Sequence, residues 1–97
     1  NAAPRAVSPG QIRCSVPRPT YSMMSRRLSE EGRAVVSMII SDAGQVEQAN
    51  LSASSGYPRL DQAALEAARR IRCEPYLENG RAIRISVAQP FDFKLQD

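Results

Sequence analysis

Two cysteines, ten acidic side chains and three tyrosines are the groups in this 97-residue chain with chemistry to offer, and histidine is absent. Without histidine, Ser-His-Asp and Cys-His catalysis are closed, and so are most zinc sites. Cys14 and Cys73 lie far apart, and two thiols alone do not make a four-ligand metal site. Two readings of them remain: a disulfide formed in an oxidising compartment, or two unrelated buried thiols. The disulfide is favoured, because Cys14 follows a proline-rich lead and Cys73 ends a predicted helix. Both are places where a staple would tie down loose chain, and closing so long a loop contributes on the order of 4 kcal/mol in the chain-entropy view. The carboxylates are scattered rather than paired. The expectation is a domain that is not an enzyme and needs no cofactor.

Chemistry of another kind sits in the main chain. Residues 81–95, RAIRISVAQPFDFKL, alternate: Ile83, Ile85, Val87, Phe91, Phe93 and Leu95 share one face, interrupted only by Gln89. Such alternation predicts a long strand with one buried side. Pro90 has no N–H to give a ladder, so its nitrogen must face no partner strand. Main-chain groups alternate sides with period two. The backbone of Arg84, Ser86 and Ala88 therefore points the same unpaired way as Pro90, and the terminal strand is predicted to be an edge. A regular edge accepts a partner strand unless it is covered, while Arg84, Lys94 and the proline also serve as edge protection.

The remaining elements position that edge. Residues 1–13, with prolines and no periodicity, read as the remnant of a proline-rich linker, and 14–97 as the folded domain. The chain opens on Asn1, which suggests a mature fragment or an excised domain. Tyr21–Glu31 predicts a short helix with Met24 and Leu28 on one stripe, Thr20 or Ser22 as N-cap and Gly32 as C-cap. Ala34, Val36, Met38 and Ile40 mark the apolar face of a strand, and Asp42-Ala43-Gly44 a hairpin turn. The returning strand, Gln45–Ala53, breaks alternation near Gln48, which suggests a bulge. Ser54-Ser55-Gly56 leads to a helix whose stripe holds Leu60, Ala64, Ala67 or Ala68, and Ile71. Cys73-Glu74-Pro75 stops it, and Glu78-Asn79-Gly80 is a turn. The predicted class is α+β in the order α-β-β-α-β: a three-stranded antiparallel sheet with two helices on one face.

Net charge is +3, from twelve arginines and one lysine, which supports at most a mild preference for acidic partners. A nucleic-acid-binding module is disfavoured: no aromatic pair lies on a polar strand face, no Gly-x-x-Gly joins two helices, and lysine is nearly absent.

In order and spacing, a set of short motifs resembles the C-terminal domain of the TonB energy-transducing proteins of Gram-negative bacteria. They are Pro19-Thr20-Tyr21, Glu31-Gly32, Asp42-Ala43-Gly44-Gln45-Val46, Ser54-Ser55-Gly56, Leu60-Asp61-Gln62-Ala63-Ala64-Leu65, Pro75, Asn79-Gly80 and Pro90-Phe91-Asp92-Phe93. The resemblance runs from about Val16 to Leu95. It implies a periplasmic domain whose parent is anchored in the inner membrane by an N-terminal helix and works with the proton-motive ExbB–ExbD complex. It also implies capture of the TonB-box peptide of an outer-membrane transporter by strand addition, for siderophore, haem or cobalamin uptake. Carried onto this chain, the partner-binding residues are Arg84, Ile85, Ser86, Val87, Ala88 and Gln89, with Thr20 and Tyr21 beside the first helix. The family has a Tyr-Pro element there, of which only Tyr21 matches. Cys14 and Cys73 are not general family features but suit an oxidising periplasm. A related assembly module, such as a TolA-like end with a different partner, is the alternative, and the same edge also suits pairing of two copies.

Overall fold

The central strand of the sheet is the one the sequence marks most clearly. In the computed structural model, which describes residues 3–95, β3 spans Gly32–Ile40, and Ala34, Val36, Met38 and Ile40 are at most 3% exposed. It pairs antiparallel with β4 (Val46–Ala53) on one side and with β8 (Ile85–Phe93) on the other. Ile85, Val87, Phe91 and Phe93 continue the buried face. Against it lies α2 (Pro58–Arg69), burying Leu60, Ala63, Ala64, Ala67 and Ala68. Alanine lets the helix approach the sheet closely, while Ile40, Leu60, Ile71 and Ile85 fill the layer between. Each such large side chain stabilises the fold by about 1.5–3 kcal/mol when fully buried.

Asp61 ties the hairpin to this helix. It accepts from Ser55 N (2.8 Å), Ser55 Oγ (2.7 Å) and Ser54 Oγ (2.5 Å), so Ser54-Ser55 is clamped over the first turn of α2. Burial pushes the Asp61 carboxyl up, but these hydrogen bonds outweigh it and hold the group below its ordinary value.

Several elements depart from expectation. The first helix, α1, is only Met23–Arg27, capped by Ser22 Oγ accepting from Ser25 N. The chain leaves it through Ser29 at φ 54°, and Gly32 instead opens β3, where a Cβ would lie 2.6 Å from Ser55 O. Met24 and Leu28 are exposed and Ser25 is the buried residue, because so short a helix is held by its flanks rather than by a stripe. The bulge expected near Gln48 is present, since Ile39 pairs Gln48 and Ile40 pairs Val46; a second register shift falls between Val35 and Val36.

Cys73 does not end a helix. α2 stops at Arg69, and β5 (Arg72–Cys73) pairs antiparallel with β2 (Cys14–Ser15), setting Cys14 opposite Cys73 in a disulfide. Cys73 N also donates to Gly44 O at 2.9 Å, and a Cβ on Gly44 would lie 1.9 Å from Cys73 O. The hairpin turn therefore needs glycine twice, for its φ of +84° and for this approach.

The strand expected over 83–95 is interrupted at Arg84. Its first part, β7 (Arg81–Ile83), pairs instead with β6 (Tyr76–Glu78) through Asn79 and Gly80, both at positive φ. The principal sheet also has four strands, not three: β1 (Arg5–Ala6) runs parallel to β8 on its outer side.

Candidate functional site

β8 keeps its register against β3 through nine consecutive pairs, from Gly32↔Phe93 to Ile40↔Ile85. On the opposite side Arg84 O accepts from Arg5 N (3.2 Å) and Ser86 O from Val7 N (2.9 Å). The even-numbered residues of β8 thus turn their main chain outward, as the nitrogen of Pro90 requires. Beyond Ser86 the outward main chain of Ala88 and Asp92 has no backbone partner among the described residues.

The expected partner-binding residues divide accordingly. Arg84 and Ser86 already meet β1, and the Arg84 side chain pairs with Glu47 at 3.0 Å. Ile85 and Val87 point into the core, at 0% and 5% exposure, and have only main chain to offer. Ala88 is exposed on the open stretch, and the Gln89 side chain donates to Pro90 O at 3.1 Å. The open edge runs from Ala88 to Asp92, further along β8 than the sequence suggested. The cover over its first part escaped notice because two paired residues leave no periodicity.

At the far end of this edge lies an open groove of about 680 Å³ lined by Arg18, Pro19, Tyr21, Arg26, Asp92 and Lys94, with Phe93 at its floor. Tyr21 stands edge-on to Phe93 (5.7 Å, 83°), under the Arg26 guanidinium at 5.3 Å, and its hydroxyl donates to Glu30 O. Burial and the nearby Glu31 and Glu30 carboxylates raise the phenol pKa against the pull of Arg26. Tyr21 is therefore a packing residue whose ring also borders the groove, while Thr20 is exposed beside it.

Glu30 fixes this corner to the rest of the domain. It is 4% exposed and takes a two-pronged contact from Arg59, with Nη2 to Oε2 at 2.7 Å and Nε to Oε1 at 3.3 Å. Hydrogen bonds from Arg59 and Ser25 lower its pKa, outweighing burial. On β8 itself Asp92 faces Arg33 across the ladder (Nε–Oδ1 2.6 Å), which lowers the carboxyl and leaves Arg18, Arg26 and Lys94 as the free cations among the named groove residues.

The model of the Gram-negative bacterial TonB protein C-terminal matches residues 17–95. This chain belongs to that family. Protein TonB of Neisseria meningitidis serogroup C is 44% identical over 54 residues, covering 56% of this chain and 19% of that protein. Protein tonB2 of Pseudomonas aeruginosa is 32% identical over 79 residues, covering 81% of this chain and 29% of that protein. The chain thus spans about a fifth to a third of these relatives. The solution NMR structure of the Pseudomonas aeruginosa TonB C-terminal domain matches the fold with a TM-score of 0.76 at 22% identity, covering 95% of this chain and 94% of that one. The α+β architecture is therefore that of TonB C-terminal domains.

Proposed function

We propose that this TonB-family domain captures an extended peptide, the TonB box of an outer-membrane transporter, as an added strand on the outer edge of β8. The observation that carries this reading is the outward main chain of Ala88 and Asp92, which has no backbone partner among the described residues, on a strand whose inner side is laddered to β3. Main-chain hydrogen bonds supply affinity in strand addition, and alternate side chains supply selectivity. Residues of the groove, with Thr20 and Tyr21 at its rim, receive the segment flanking the added strand. Its free cations favour acidic neighbours and speed encounter at low salt.

The domain does no catalysis in this reading. It grips the transporter from the periplasm and passes on work that the full-length protein draws from ExbB–ExbD through an inner-membrane-anchored N-terminal region, driving uptake of siderophores, haem or cobalamin. Arg5–Gln11, expected as linker, are instead part of the folded domain, with Arg5–Ala6 in the sheet and Val7 in the core; nucleic acid is not a partner in this reading.

Isothermal titration of the chain with a synthetic TonB-box peptide tests the reading, with Ala88→Pro as the diagnostic variant. A proline there removes only an outward N–H, as Pro90 already does, so the fold survives. Saturable binding to the parent and its loss in Ala88→Pro is the expected result; equal binding to both would exclude this edge.

A further inference from the structure

The part of the β8 edge nearest its start is already filled, and by this chain itself. Arg5 N and Val7 N donate to Arg84 O and Ser86 O, Val7 is 9% exposed, and Arg5 pairs with Glu78 at 3.1 Å. After Val7 the chain turns away: Gln11 Oε1 accepts from Ser8 N at 2.8 Å, a 3-10 turn follows over Pro9–Gln11, and Cys14 is bonded to Cys73. We propose that Arg5–Val7 is a built-in competitor strand, which occupies the Arg84–Ser86 part of the edge and is displaced when a partner strand is added. The proposal rests on the strand-addition reading above.

Two features separate a displaceable occupant from a permanent strand. The hold is small: β1 is two exposed residues long and pairs on one side only, and among the described residues before Ser8 only Val7 is buried, which places the segment at the low end of local stability. The tether is short. The disulfide fixes the chain at Cys14, so Val7 stays within a few residues' reach of β8 even when released, at high effective concentration. A weak contact on a short leash opens and recloses without being lost. A partner strand running from Asp92 past Ala88 toward Arg84 meets Val7 first and then Arg5. Until they leave, its affinity is reduced by the fraction of molecules whose edge is open.

Amide exchange and binding read this out together, using the chain, a variant lacking residues 1–7, and Val7→Pro. The last keeps an apolar ring over the core while removing the N–H to Ser86 O, so it covers a failure of the deletion to fold. In the chain alone, the Arg5 and Val7 amides should be measurably protected; saturating TonB-box peptide should release both. Each variant should bind the peptide roughly tenfold more tightly than the parent. Free exchange at Arg5 and Val7 without peptide, retained protection with peptide bound, or one affinity shared by all three chains would overturn the proposal. Peptide binding by none of them would instead overturn strand addition itself, and the competitor role with it.

Discussion

β4 and β8 flank the same central strand, yet β4 meets it through two register shifts, while β8 runs nine residues against it with none. Each shift twists β4 and breaks the even spacing of its outward groups, and charged Glu47 stands at one of them. β8 has no such break. Its protection is one proline, which removes a single donor and leaves the neighbouring N–H and C=O groups in phase. One sheet thus carries a blunted edge and a usable one, and the difference lies in local backbone geometry rather than hydrophobicity. Cover differs along the second edge: β1 lies over its start, and the outward main chain of Ala88 and Asp92 has no backbone partner among the described residues.

The largest effect expected from breaking this arrangement is at the clip. Replacing both Cys14 and Cys73 with serine should cost about 4 kcal/mol of stability, read by urea unfolding, because a long loop in the unfolded chain is no longer closed. It should also free β1 while leaving amide protection in β4 unchanged. A proline at Ala88 should come next, weakening peptide capture by roughly a hundredfold through lost main-chain bonding. The matching change on the other edge, Asn50→Lys on exposed β4, should leave capture within about twofold. Gly44→Ala, where a methyl would meet the Cys73 carbonyl at positive φ, should destabilise the junction of hairpin turn and β5 by about 1–3 kcal/mol on denaturation.

The smallest effect concerns pH. Glu30 has its carboxyl lowered from the ordinary 4.5, so its contribution is present above that value and is lost as pH falls through the lowered folded one. Unfolding midpoints measured downward from about pH 5 should therefore fall. The fall should be shallower in Arg59→Gln, which removes the main cause of the shift.

The two edges were unequally legible in the sequence. Alternation of Ala34 to Ile40 and of Ile85 to Phe93 identified the paired strands, because a buried face allows only one parity. Pro90 identified which side of β8 lies outward, and Arg84 and Ser86 do turn their carbonyls that way. The broken pattern near Gln48 gave the first β4 bulge. The second escaped because Ser52 and Ala53 are exposed and so carry no pattern to break. Three features left no trace: β1, a two-residue pairing too short to show periodicity; the break at Arg84, which preserves odd-even parity; and the strand at Arg72–Cys73, whose partner lies at the other end of the chain. The Glu30–Arg59 clasp was hidden for the same reason, since each residue alone reads as a solvated charge.

Hydrogen exchange on the peptide-saturated domain tests the central claim most directly. Strand addition to β8 predicts that the amides of Ala88 and Asp92 gain protection while those of β4 stay unchanged. Protection gained along β4, or at neither edge despite saturable binding, would contradict it.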